Sequence, residues 1–169
     1  MGVSGDALDA RAVIVGSRLR AAGDCLVTAE SCTGGGVGQA VTAVAGSSAW
    51  FDRGFVTYSN AAKQEMLGVT AETLARHGAV SEETAREMAA GALARSRGSI
   101  ALAVTGIAGP GGSTPAKPVG LVCFAWAHRG RVLAESRRFA GDREQVRRHA
   151  VMRALQGVIE RLDEAAAKA

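Results

Sequence analysis

Five consecutive apolar residues, 100–104 (IALAV), lead through Thr105 into the glycine-rich loop that begins at Gly106. The run has strand length rather than helix length, and it shows water no polar face. A strand apolar on both sides must be covered on both sides, so it belongs inside a sheet with helices above and below. Residues 8–22 carry Leu8, Ala12, Val15, Leu19 and Ala22 at helical spacing. Further helices are predicted over 36–45, 60–67 and 70–77. Another starts at a Ser81 cap with Glu82 and Glu83 in its first turn, and a last one covers 142–167. Strands are expected at 25–30, 50–58, 99–104 and in a pair, 119–127 and 131–140, turning at His128-Arg129-Gly130. Helices and strands interleave, which predicts the α/β class, and the hairpin makes the sheet mixed. No linker or repeat divides the chain, so one domain over 1–169 is expected.

Composition narrows the function. Apolar residues make up 47% of the chain and aromatic ones 4%, so the core is expected to be Ala, Val, Leu and Ile. No apolar run approaches the roughly 18 residues of a membrane span. The N-terminus carries an early acid and no basic-then-apolar order, so no signal peptide is expected. Three cysteines without CxxC spacing fit a reduced cytoplasmic protein. The net charge is +4, and its excess sits late: nine arginines against four acids between Arg129 and Arg161. Without basic runs or aromatic stacking partners, that excess points to a small anion rather than to nucleic acid, with a solvated helix face as the plain alternative.

Two glycine-rich turns leave the carboxyl ends of predicted strands, where open α/β sheets bind ligands. The first, TAESCTGGG, places Ser31 and Cys32 before Thr33, Gly34 and Gly35. It lacks the Gly-Lys-Ser/Thr of a phosphate loop. Its amides suit an oxyanion, and a tight turn packed on the sheet explains the glycines equally well. On a strand-like backbone Ser31 and Cys32 point to opposite sides, so only one is expected to face a cleft. The second turn opens the 13-residue loop GIAGPGGSTPAKP, long for a compact domain. In TYSNAAK, Lys63 falls in the first turn of a helix, where the dipole disfavours a cation. The same field and partial burial favour a neutral lysine fit for a general base; an exposed lysine lying along a short helix is the alternative. Tyr58 is placed to relay a proton. The Ser, Tyr and Lys set does not match short-chain dehydrogenases, which have three residues between Tyr and Lys where this chain has four. In the last helix, Arg147 projects inside the apolar stripe and Arg143 lies near its edge, while His149 and Arg153 project away from it. An anion at that helix start, or a buried acid partner, explains such an arginine.

The strings TAESCTGG, AGSSAWFDRGFVTYSNAAK, GAVSEETA, TGIAGPGG, KPVG and GDREQVRR together resemble the CinA C-terminal family, and more closely its stand-alone nicotinamide-mononucleotide (NMN) deamidases. The resemblance covers about residues 8–162. It implies a three-layer α/β/α sandwich, deamidation of NMN to nicotinic acid mononucleotide and ammonia in pyridine-nucleotide recycling, and no metal or other cofactor. It implies Ser31 as nucleophile, Lys63 as its activator and Tyr58 as an assisting residue. Thr33, Gly34, Gly35, Ser47, Ser48, Thr105, Gly106 and Gly109 are then expected around the substrate, with Arg143 and Arg147 at its phosphate. NMN is the expected partner, without nucleic acid or membrane, and self-association is expected. A non-catalytic nucleotide-binding module is the alternative. Larger members carry a further N-terminal domain, whose activities are not expected of this chain.

Overall fold

The apolar run is the middle strand of a five-stranded sheet. The computed structural model describes residues 5–169; residues 1–4, part of the stretch read as lacking a signal peptide, lie outside the described residues. The elements are α1 (Gly5–Ala22), β1 (Leu26–Glu30), α2 (Gly36–Thr42), β2 (Phe51–Val56), α3 (Asn60–Leu67), α4 (Ala71–His77), α5 (Glu82–Ala94), β3 (Ile100–Gly106), β4 (Leu121–His128), β5 (Arg131–Arg138) and α6 (Arg143–Ala167). β2, β1 and β3 run parallel, and the β4–β5 hairpin adds two antiparallel strands. The sheet is therefore mixed, as the sequence predicts.

Strand alternation sorts the core into two layers. Leu26, Ile100, Leu102, Val104, Val122, Phe124 and Trp126 face α1, α2 and α6. Val27, Ala29, Ala101, Ala103, Cys123, Ala125 and Ala127 face the other way, against α5 and the end of α3. The second set is mostly alanine, which lets Ala85, Met88, Ala89 and Ala92 of α5 lie close to the sheet. α2 stops at Thr42, three residues short of the expected end, and Gly46 at φ +78° leads into a 3-10 turn, Ser47–Ala49.

β1 and β3 are hydrogen-bonded neighbours in register from Leu26–Ile100 to Glu30–Val104. The two glycine-rich turns that follow them therefore emerge side by side at one end of the sheet.

Candidate active site

Ser31 is the first residue past β1, and its N–H donates to the Val104 carbonyl at 2.9 Å, carrying the strand pairing one step further. Lys63 reaches it from α3. Ser59 caps that helix, its Oγ accepting the Ala62 N–H at 3.0 Å, which fixes Lys63 in the first turn. The lysine side chain turns inward and is 1% exposed, not laid along the helix surface. Its Nζ lies 3.0 Å from Ser31 Oγ and donates to the Thr57 carbonyl at 2.9 Å. Burial pulls the Lys63 pKa below the ordinary lysine range, with the Cys32 thiol acting weakly the other way.

The pair opens into a cleft of about 270 Å³ whose wall also includes Tyr58, Asn60, Thr105, Gly106 and Arg143. Tyr58 is largely exposed, and its hydroxyl accepts from Arg143 Nη2 at 3.1 Å. Arg143, the first residue of α6, also donates through Nη1 to the Gly109 carbonyl at 2.9 Å. It thus ties the strand-β2 side of the cleft to the glycine loop. Thr105 donates to the Ala79 carbonyl at 2.9 Å, fixing the β3 end against the loop before α5. Gly109 is held at φ +81°, and a Cβ there would fall 2.5 Å from Val119 Cγ1, so this position accepts only glycine without rearrangement.

Cys32 corrects one expectation. The backbone bends at Ser31 and turns from Cys32 instead of continuing as strand, so both Ser31 and Cys32 reach the cleft wall. Cys32 is 6% exposed and packs into the larger core layer. Burial pushes its thiol up to about 12, which leaves it protonated and a poor nucleophile.

Arg147 also differs from expectation. Among the described residues it has neither an acid partner nor a place in the Ser31 cleft. Its Nε donates to the Cys32 carbonyl and its Nη2 to the Thr33 carbonyl, both at 3.1 Å, and it faces a separate groove shared with Thr33. The arginine on the core side of α6 holds the turn after Ser31 from behind. Arg153 does not point away: it lies over the Trp126 ring, bonded to Glu135 and Glu160. His149 stacks on Phe139.

Glu30 was not anticipated. It is 1% exposed, and its Oε1 accepts the Thr33 hydroxyl at 2.7 Å and the Val37 N–H at 2.8 Å, while Oε2 accepts the Gly38 N–H at 3.0 Å. The carboxylate occupies the start of α2, the place an external anion would take. Gly34 and Gly35 adopt φ +58° and +98°, and the Gly34 and Gly36 amides close the turn onto Ser31 and Thr33. A signal existed in the sequence: an acid closing a short, largely apolar strand, seven residues before a helix amide that needs an acceptor.

Ser47 and Ser48 are not brought to the cleft. They sit in the 3-10 turn before β2, and because β2 is parallel to β1 that turn lies at the end of the sheet opposite Ser31. Among the described residues no cluster of His, Cys, Asp or Glu is arranged to hold a metal, and no helix is long and apolar enough to cross a membrane.

Comparison with known proteins adds to this geometry. The family model described as "CinA C-terminal domain" matches residues 8–162. The nicotinamide-nucleotide amidohydrolase PncC of Escherichia coli K12 is 56% identical over 143 residues, covering 84% of this chain and 87% of its own. A protein of the same name from Pseudomonas putida is 50% identical, covering 92% of this chain and 97% of its own. Among solved structures, the competence/damage inducible protein CihA from Agrobacterium tumefaciens superposes with a TM-score of 0.90 at 49% identity, covering 96% of this chain and 99% of that one.

Proposed function

The chain belongs to the CinA C-terminal domain family, and from that premise we propose that it is a nicotinamide-nucleotide amidase acting as one domain: it hydrolyses the carboxamide of NMN to nicotinic acid mononucleotide and ammonia. The observation that carries the reading is the buried Lys63 with its Nζ 3.0 Å from Ser31 Oγ. Neutral Lys63 directs one N–H to the Thr57 carbonyl and accepts the Ser31 proton as Oγ attacks the carboxamide carbon. The carbon–oxygen bond forms, and the carbonyl electrons move onto the oxygen. The Gly34, Gly36, Val37 and Gly38 amides already have acceptors, so the turn amides nearest Ser31, at Cys32 and Thr33, are assigned to the oxyanion. Collapse breaks the carbon–nitrogen bond, and the proton held by Lys63 passes to the leaving nitrogen with help from Tyr58. Water, deprotonated by the same lysine, then releases the acid from Ser31.

Arg143 is the phosphate residue in this reading, because its guanidinium stands in the cleft beside Tyr58. Arg147, turned onto the carbonyls of Cys32 and Thr33, supports the turn instead. The three free cysteines suit a reducing cytoplasm, where pyridine nucleotides are recycled.

The test is ammonia release from NMN without added metal, for wild type and for Ser31→Ala, Lys63→Ala and Cys32→Ala. Turnover should vanish in the first two and persist in the third. Calorimetric binding of NMN by wild type with no ammonia released would make the chain a nucleotide-binding module instead.

A further inference from the structure

At the end of the sheet opposite Ser31, the β4–β5 turn and the last turns of α6 enclose a second cleft, about 220 Å³ in volume. His128, paired with Ile100 at the start of β3, marks that end. Among the described residues, Arg129, Arg131, Arg161 and Lys168 line the cleft against a single side-chain carboxylate, Glu164. The acids nearby are committed. Glu164 accepts from Arg161 at 2.7 Å, Glu160 from Arg153 at 2.8 Å, and Asp24 is bonded to His128 at 3.0 Å. Among the described residues, Arg129, Arg131 and Lys168 form no ion pair, and the buried Nε of Arg161 has no acceptor.

Folding accounts for part of this. Cations near a helix C-terminus are favourable, which suits Lys168, the C-cap of α6. It does not account for Arg129. That residue stands at φ +50° before Gly130 at φ +75°, in a two-residue hairpin turn whose first position favours Asn, Asp or Gly. An arginine there weakens the turn and adds like charge to a wall that already repels itself. A bound anion relieves the repulsion and offsets the cost of the turn.

We propose that this cleft binds a phosphate monoester. Arginine forks match phosphate oxygens, and Trp126, Leu133 and Ala165 give the same cleft an apolar wall for the organic part. A nucleic-acid strand fits less well, because Trp126, only 2% exposed, gives the cleft a small apolar contact and not an open platform on which successive bases can stack. The site shares no residue with the Ser31 cleft and stands whether or not that cleft is an amidase.

Trp126 is one of two tryptophans, so Trp50→Phe leaves it as the sole indole reporter in the wall. Adenosine monophosphate should change its emission saturably; calorimetry on the otherwise unaltered chain gives the same reading should that variant fold poorly. Affinity should fall at least about tenfold in Arg129→Ala/Arg131→Ala and stay unchanged in Arg143→Ala. No saturable binding by either method overturns the proposal, as does equal binding of adenosine, or loss in Arg143→Ala with retention in the double variant. Inorganic phosphate binding as tightly as the nucleotide overturns the role of the apolar wall, and tighter binding of a single-stranded oligonucleotide overturns the choice of ligand.

Discussion

Thr57 N–H donates to the Glu30 carbonyl at 2.8 Å, so the residue whose own carbonyl holds Lys63 is pinned to the residue that precedes Ser31. Thr57 extends β2 as Ser31 extends β1, and these are adjacent strands. The spacing between lysine and serine is thereby set by sheet register instead of by loop conformation. Rigid elements hold such geometry more closely than loops do.

Lys63 should govern both the pH profile and the stability. Burial lowers its pKa, so kcat should rise with pH as the lysine loses its proton, and the rise should lie below the ordinary lysine value of 10.5. The sign for folding follows from linkage. Between the lowered folded value and 10.5 the unfolded chain binds more protons, so stability rises with pH through that window. Below it the burial penalty on Lys63 is fully present. Lys63→Met should therefore raise Tm at neutral pH, with the advantage over wild type shrinking toward pH 10.5, while turnover drops by at least about 10³. A Tm gain that stays constant with pH would falsify the buried, depressed lysine.

Ser31 and Cys32 should separate cleanly. Ser31→Ala should reduce kcat by about 10³-fold or more and leave Tm nearly unchanged. Cys32→Ala should keep turnover within a few-fold, about the scatter of a packing change, and lose about 1 kcal/mol in urea unfolding from the small cavity. The opposite pattern would move the nucleophile to the thiol.

The order of helices and strands was legible because period carries it: residues 100–104 read as a two-sided buried strand, and they are β3. Lys63 was legible too, because a cation in a first helical turn conflicts with the dipole and the structure resolves the conflict by burial. Arg147 was only half legible. Helical projection gives its inward direction, but its acceptors are the Cys32 and Thr33 carbonyls, more than a hundred residues away, and no local pattern encodes backbone carbonyls as partners. Ser47 and Ser48 were expected near the substrate from the resemblance alone, with no local pattern behind them. β2 carries the chain from one end of the sheet to the other between them and Tyr58.

Glu30 should prove essential to the fold of the turn that follows Ser31. Glu30→Ala leaves two α2 amides and the Thr33 hydroxyl without their acceptor in a buried place, at about 1–3 kcal/mol for each group that water cannot reach. A loss of about 2–5 kcal/mol in urea unfolding is expected, partial relaxation included. Glu30→Gln keeps one acceptor oxygen and should recover part of that stability. If Glu30→Ala lost less than about 1 kcal/mol, the carboxylate would not be holding the helix start.

Arg143 and Arg147 lie one turn apart on α6, yet their variants should differ in kind. Arg143 donates into the cleft, to Tyr58 and the Gly109 carbonyl, and can exchange those bonds for a substrate phosphate. Removing a charge-assisted contact of this sort weakens binding by about 1.5–3 kcal/mol, or roughly 10- to 150-fold. Arg143→Ala should thus raise KM for NMN by about that factor. The same variant should leave KM for nicotinamide riboside, which has no phosphate, nearly unchanged. Arg147 donates to the backbone of the turn that carries Ser31, so Arg147→Ala should lower kcat on both substrates alike and reduce Tm. Steady-state kinetics on the two substrates distinguishes the roles. A phosphate-dependent KM effect in Arg147→Ala and none in Arg143→Ala would place the phosphate behind the turn, in the groove that Arg147 shares with Thr33.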